Sequence, residues 1–355
     1  MTIGPAHRSA ESDSETQQRP EVSLLSPTKL DRPHRIAVIN NPASGNNRRG
    51  NRLGSILDAL RRSGVPHAES DSLEGLTGAT QRLLEEGIEL IVVNGGDGTV
   101  QAVLTGIFRA SRTAAVPVLA VLPGGTTNTT ARNVGYGTRA VDALSELVDA
   151  AAGGQLRGRI ERHRILKVEC SSASEPLYAM FLGVGAVYHG IRFAKEQVES
   201  RGVRGELGAA IALAVFLGRI ATGRGGTLFP PLHASAVIDE GEPQNDDLLG
   251  ILVSTMDRQF LGLRPYWGQE PAPIHYSALS YSARSLSRAA ISVMRGKPNR
   301  FVRPELGYRS CNASRIELHI DSGFTLDGEL YAPEGDTSLR ITAGDTALFL
   351  RRAPG

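Results

Sequence analysis

Residues 36–39, 88–93 and 116–122 are short, almost continuously apolar runs, and each is followed within a few residues by a polar turn containing glycine. A strand that is apolar on both faces must be covered on both faces, which places it in a parallel sheet between layers of helix. Helical spacing fills the gaps. Leu53, Ile56, Leu57 and Leu60 recur at one-face intervals over 47–62, and Leu76, Leu83 and Leu84 do so over 76–87. A short strand is expected at 65–69, a helix at 99–109 and another helix from about Thr127. Strands alternating with helices in this way predict βαβ units with right-handed crossovers. Forty glycines in 355 residues, against a norm of about 7%, show that backbone geometry carries part of the design.

Near residue 156 the rhythm changes. Strands are expected at 159–169 and 176–182 with no helix between them, followed by helical segments at 190–199 and 205–220. Strand-like pieces then follow at 232–238, 248–255, 274–280, 315–320, 323–326, 329–332, 338–342 and 346–350. The fold class expected is α/β plus β. An N-terminal parallel-sheet nucleotide-binding domain (34–156) precedes a C-terminal, β-sandwich-like domain with helices (157–355), whose final strands pack back on the first. Residues 1–33 are polar and without apolar periodicity, which reads as a disordered leader.

Composition excludes several classes. With 39 basic against 37 acidic residues the formal charge is +2, too little for a protein that wraps nucleic acid. Cys170 and Cys311 are the only cysteines; they make neither a disulfide framework nor a zinc site. His163, His189, His233, His275 and His319 lack ligand spacing and read as structural or solvated. No apolar run approaches the roughly 20 residues of a membrane span. Residues 1–20 hold no signal-peptide core, so a cytoplasmic protein is expected.

The strongest chemical signal is Gly95-Gly96-Asp97-Gly98-Thr99-Val100-Gln101, where a buried strand ends in a glycine turn that opens a helix. Free backbone N–H groups and the positive helix end favour phosphate there. Neither a P-loop lysine nor a G-x-G-x-x-G is present. Instead a carboxylate sits in the turn. It would repel phosphate unless a divalent cation bridges the two, so Asp97 points to Mg²⁺–nucleotide; the competing reading is a tight βα turn with Asp97 as helix cap. Pro123-Gly124-Gly125-Thr126-Thr127-Asn128 forms a second such turn, and Asn41-Pro42-Ala43-Ser44-Gly45 a third. Three turns at the carboxyl ends of parallel strands converge on one crevice, the place where open α/β sheets bind ligands.

Far downstream, Leu326-Asp327-Gly328-Glu329-Leu330 carries two readings. Asp-Gly between apolar residues is a hairpin signal. Alternatively, Glu329 or Asp327 is a general base reaching the nucleotide from the second domain. The 281–303 stretch carries Arg284, Arg288, Arg295, Lys297, Arg300 and Arg303. Together with Arg201, Arg204, Arg219 and Arg224 it is either a solvated helix surface or a basic face toward anionic lipid headgroups.

Taken in order, Asn41-Pro-x-Ser-Gly45, Gly95-Gly-Asp-Gly-Thr99, Pro123-x-Gly-Thr126-x-Asn128 and Asp327-Gly-Glu329 resemble the diacylglycerol kinase catalytic-domain family. That family includes bacterial YegS-type lipid kinases and sphingosine kinases and shares its fold with NAD kinases; the match spans about 35–350. The resemblance implies ATP in a cleft between the two domains. Residues 95–101 would hold its phosphates, with Thr126 beside them and Ser70 supplying a nucleotide-contacting hydroxyl. It makes Glu329 the proton acceptor and Asp327 its companion acid. A structural Mg²⁺ would sit at the acidic stretch Asn245-Asp246-Asp247, leaving Asp97 and Asp247 as the candidate metal ligands.

Three departures stand out. Thr129 replaces an expected acid, Leu248 an expected glycine, and 179–183 lacks the family's asparagine. The function expected is an ATP- and Mg²⁺-dependent lipid kinase acting on a hydroxyl of a diacylglycerol-like lipid, with acyl tails housed near 181–217. Such an enzyme would meet its substrate peripherally, at the inner face of the membrane. The alternatives are an NAD kinase-like enzyme for a soluble substrate and a non-catalytic nucleotide- or lipid-binding regulator.

Overall fold

The computed structural model describes residues 35–45, 47, 58, 60–110, 115–125, 128–136, 140–153, 158–193, 195–196, 229–259 and 262–352. The expected leader at 1–33, most of the helix at 47–62, the helix at 205–220, Thr126, and Arg201, Arg204, Arg219 and Arg224 lie outside the described residues.

The first half folds as its pattern requires. Strand β1 (Ile36–Asn40) is followed by β2 (His67–Glu69), α1 (Leu73–Glu85), β3 (Leu90–Gly95), α2 (Asp97–Ala110) and β4 (Val118–Pro123). Then come α3 (Thr129–Val134), α4 (Ala140–Gly153) and β5 (Arg159–Arg164). Every residue of β1 and β3 is buried, the consequence of a parallel sheet covered on both sides. Strands β2, β1, β3 and β4 lie side by side and parallel, so all four carboxyl ends open on one edge. Ser72 caps α1, its hydroxyl accepting the Gly75 N–H at 3.1 Å.

The far side of this sheet is completed from the other end of the chain. Strand β17 (Thr346–Arg351) lies between β4, to which it is parallel, and β5, to which it is antiparallel. The expected division at 156/157 therefore falls short of where the sheets change: β5 belongs to the first sheet, and the crossing comes at Ile165. The strand expected at 159–169 is two strands in two different sheets, β5 and β6 (Leu166–Cys170).

The second sheet has eleven strands: β6, β7 (Leu177–Ala179), β8 (Phe181–Gly185), β9 (Leu232–Ile238), β10 (Gln244–Ser254), β11 (Ile274–Ser280), β12 (Tyr308–Ala313), β13 (Arg315–Ile320), β14 (Phe324–Leu326), β15 (Glu329–Tyr331) and β16 (Thr337–Thr342). They form one antiparallel network that branches at β10. The first half of β10 pairs with β9 and the second half with β8, while β11 joins its other edge after an irregularity between Leu248 and Gly250. Strand β12 has no alternating apolar pattern and was not expected. Among the described residues two α-helices belong to this half, α5 (Ala186–Phe193) and α6 (Leu286–Met294).

The halves meet along α2. The Thr105 hydroxyl accepts the Tyr178 N–H at 3.1 Å and donates to the Tyr178 carbonyl at 3.3 Å. One turn on, Arg109 Nε donates to the Pro176 carbonyl at 2.9 Å and its Nη1 lies 3.0 Å from Glu175. One helix thus carries the 95–101 turn at its N-terminus and grips β7 along its body.

Phe349, on β17, is fully buried in the first core. Phe349→Ala is expected to cost about 3–5 kcal/mol of folding free energy, read as a lower urea midpoint. A change below 1 kcal/mol would show that β17 is dispensable to this sheet.

Candidate functional site

Each of the converging turns is tied to its neighbours through short side chains. The Asn41 amide donates to Thr99 Oγ1 at 3.0 Å while its carbonyl oxygen accepts the Ala43 N–H, an Asx turn. Ser44 Oγ accepts the Gly96 N–H at 3.1 Å and lies 3.4 Å from Thr99 Oγ1. In the 123–128 turn Asn128, in the left-handed region at φ 48°, closes a ring with Gly125 through two bonds of 2.8 and 2.9 Å. A Cβ on Gly125 would sit 2.4 Å from the Gly96 Cα; the 95–98 and 123–128 turns touch backbone to backbone, and only glycine permits it. Gly45 completes the 41–45 turn and Gly95 ends β3. Ser70 follows β2 on the same edge; its N–H donates to the Asn40 carbonyl, and its hydroxyl accepts the Ser72 N–H.

Asp97 is the first residue of α2, and its carboxylate does something the sequence did not announce. Its two oxygens accept the N–H groups of Thr129 and Thr130, at 3.1 and 2.8 Å. It therefore caps α3, a different helix from the one expected. Position 129, where the family resemblance called for an acid, gives Asp97 its N–H. Two lone pairs per carboxylate oxygen leave Asp97 able to accept these bonds and a cation together.

Opposite stands the β14–β15 hairpin. Asp327 (φ 46°) and Gly328 (φ 88°) form a two-residue turn with both residues left-handed, and Leu326 pairs with Glu329. The hairpin reading of Asp-Gly-Glu holds, and the hairpin carries Glu329 toward the first domain. Asp327 is buried, its carboxylate oxygens lie 3.0 and 3.3 Å from the Met180 N–H, and its own N–H donates to the Phe181 carbonyl. Burial lifts its carboxyl well above the usual carboxylate range, with the charges of Asp97 and Glu329 adding to the effect and the Met180 N–H opposing it.

Glu329 reaches across to α2. A Cβ on Gly98 would lie 2.2 Å from Glu329 Oε1, so any side chain at 98 would displace the carboxylate. It rests at the positive end of a helix, where a negative charge is favoured. The Lys195 ammonium lies 3.0 Å from Glu329 Oε2. Lys195 was missed by the sequence reading, and being 134 residues from its partner it left no spacing to find. Asn47 and Asn94 were missed as well: Asn47 donates to the carbonyls of Asn41 and Asn94, and Asn94 donates to Asn40 Oδ1.

Two expectations are corrected. Val100 and Gln101 are 1% exposed and face the interior; the Val100 N–H donates to the Gly96 carbonyl, and the Gln101 amide lies 3.4 Å from Thr105. Asp247 is not in a metal-binding loop, because β10 begins at Gln244 and includes it. Successive strand residues point to opposite faces: Asp246 pairs with Arg309, while Asp247 lies 2.6 Å from His233 Nδ1. Neighbouring acids so divided cannot grip one ion. Among the described residues no cluster of three metal-ligating side chains is present.

The fold and site define a class: a parallel α/β domain joined along one helix to an antiparallel sheet, with acids from both halves facing across the join. The model of the diacylglycerol kinase catalytic domain matches residues 35–155. The curated "Probable lipid kinase YegS" of Shigella flexneri is 30% identical over 241 residues, covering 57% of this chain and 77% of that protein. The protein of that name in Escherichia coli (strain SE11) matches with the same identity and coverage. A diacylglycerol kinase crystal structure from Bacillus anthracis str. Sterne superposes with a TM-score of 0.56 at 14% identity, over 89% of this chain and 97% of that one; this likeness shows the fold. The chain belongs to the diacylglycerol kinase catalytic-domain family.

Asp327 binds its proton more tightly folded than unfolded, so folding stability falls as pH rises from the unfolded value near 3.9 through the folded one. Asp327→Asn, isosteric and uncharged, is expected to remove that slope. Its urea midpoint should gain on the wild type between pH 5 and pH 8; parallel midpoints would exclude the proton on Asp327.

Proposed function

We propose that the chain is an ATP-dependent lipid kinase, moving the γ-phosphate to a hydroxyl of a diacylglycerol-like lipid. The observation that carries the reading is Glu329 of the second sheet resting over Gly98 at the N-terminus of α2. A carboxylate able to accept a proton and a phosphate-binding helix end face each other there, each delivered by a different domain.

In this reading the nucleotide lies along the carboxyl edge of the first sheet, with Ser70, Asn41, Ser44 and Asn128 lining it. The phosphates sit against residues 95–99, where the helix end and backbone N–H groups offset their charge. Mg²⁺ fits this donor set: the ion takes one or two carboxylates and fills its shell with phosphate oxygen and water, and Asp97 is a carboxylate at the mouth of the turn. When bound, Mg²⁺ would neutralise charge on the phosphates; Asp97 would hold it.

Glu329 would accept the proton of the lipid hydroxyl as its oxygen attacks in line. Lys195 holds the Glu329 carboxylate at its post. Asp327 serves as anchor rather than second base, since its carboxyl is buried and bound to Met180. It is a positioning residue, and Glu329 the catalytic one.

The lipid half of the proposal draws on a cavity of about 170 Å³ in the second domain, lined by apolar groups including Val187, Leu252, Trp267, Leu286, Val293 and Met294. Val187 also lies against Gly183 of β8, whose backbone pairs with Thr325 of β14. The cavity therefore adjoins the strands that present Glu329, and an acyl chain there would keep its headgroup near the carboxylate.

The test is phosphate transfer from γ-labelled ATP with Mg²⁺ to micelles of diacylglycerol, monoacylglycerol, sphingosine, ceramide or phosphatidylglycerol, with NAD as soluble control. One labelled lipid is expected. Glu329→Gln should lower kcat about 10²–10⁴-fold with the melting temperature and ATP affinity retained. Label on NAD would place the enzyme with soluble-substrate kinases, and ATP binding without any label would favour the regulator. Gly98→Ala, which crowds Glu329, is expected to lower kcat more than it raises the KM for ATP; an unchanged kcat would remove Glu329 from the reaction.

A further inference from the structure

No acidic residue occurs between Glu270 and Glu305, while Arg284, Arg288, Arg295, Lys297, Arg300 and Arg303 do. All six are exposed, and none has an acidic partner among the described residues. In a chain with a formal charge of only +2, this is a local excess of six positive charges that the rest of the sequence, at net −4, offsets only in part.

The cations are held in a built surface. Leu286, Ala290, Val293 and Met294 turn one face of α6 into the wall of the apolar cavity. The opposite face carries Arg288, Ile291 and Arg295 at intervals of three and four residues, which is one stripe of a helix. Ile291 is 59% exposed, the most exposed of the large apolar side chains among the described residues. The following loop is pinned beside this stripe: Asn299 Nδ2 donates to the Arg288 carbonyl at 3.1 Å, and Asn299 Oδ1 accepts the Phe301 N–H at 2.9 Å. Phe301 is flanked by the guanidinium groups of Arg288 and Arg300, at 5.4 and 4.9 Å from its ring, which fixes both in place.

We propose that α6 and the loop 295–303 form the docking surface by which this protein lies on a bilayer containing anionic phospholipid. Charge complementarity selects an anionic partner. An exposed isoleucine within the cationic stripe, on the helix whose other face walls an apolar cavity, selects a lipid surface over a nucleic acid, for which an apolar side chain at the contact is wasted. Juxtamembrane cations gain most within a Debye length of the headgroups, and the stripe places two of the six, Arg288 and Arg295, on one helix and its C-cap. The proposal rests on the lipid-kinase reading for its purpose, but not for its test.

That test is sedimentation of the full chain with vesicles, scored separately from catalysis. Binding is expected to vesicles of phosphatidylglycerol mixed with phosphatidylcholine, weak binding to phosphatidylcholine alone, and loss at 0.5 M salt. The Arg288→Glu/Arg300→Glu variant should bind on the order of tenfold or more weakly. Because those residues stack on Phe301, Arg295→Glu/Lys297→Glu serves as a second variant free of that contact, and Ile291→Asp tests the apolar part. Phosphate transfer to a monomeric short-chain lipid should be unchanged in all three. Equal binding by wild type and both charge-reversal pairs would overturn the proposal, as would equal binding to neutral vesicles. So would displacement from vesicles by duplex DNA at equal phosphate concentration, which would assign the surface to nucleic acid. Vesicle binding with the expected pattern but no kinase activity would leave the docking surface standing and remove the kinase.

Discussion

One threonine hydroxyl ties the two halves of this molecule together where it matters. Thr105, two turns into α2, takes both backbone groups of Tyr178, so the edge strand β7 has no freedom to slide along the helix. Met180, two residues later, then presents its N–H to Asp327 and its carbonyl to Ser254. Asp327 sets the hairpin turn, and the turn sets Glu329 over Gly98, back at the start of the same helix. The contacts form a closed ring through α2, β7, Met180 and the hairpin. Its hydrogen-bonded members Thr105, Tyr178, Met180 and Asp327 are buried, where hydrogen bonds are hard to replace with water, which explains how the Glu329 carboxylate can be set over Gly98 from the other half without its position being left to a flexible linker.

The acids around this ring divide their duties by environment. Asp97 is bound by two N–H groups and caps α3. Asp327 is buried and holds its proton more strongly than an ordinary carboxyl. Glu329, half-buried and paired with Lys195, is the one left facing the cleft. Three carboxyl groups that are close in charge but differ in solvation do not compete for one role. Burial and partner decide which acid anchors and which is left exposed in the cleft.

The α/β domain was legible because its signals are local. Apolar runs, glycine turns and helical spacing recur within windows of ten to twenty residues, so β1 to β4, α1 and α2 could be placed to within a few residues, while α3 and α4 were read as one helical stretch. The antiparallel domain was legible in its longer strands and not in its pairing. β12, with no alternation, was missed, and β10 was read as starting after its acids because three polar residues in succession look like a loop. Pairing with β9 drew them into the strand and separated Asp246 from Asp247. Lys195 could not be found at all, since an ion pair over 134 residues has no trace in spacing.

What the sequence determined by itself is the parallel sheet, its three glycine turns on one edge and the Asp-Gly hairpin, because these depend on burial periodicity and on backbone conformations that few residues can adopt. It also set the identity of the acids. What only the tertiary structure decided is what each acid does. The desolvation of Asp327, the capping of α3 by Asp97 and the approach of Glu329 to Gly98 arise from residues far apart in the chain, and solvation and close contact are properties of the packed molecule.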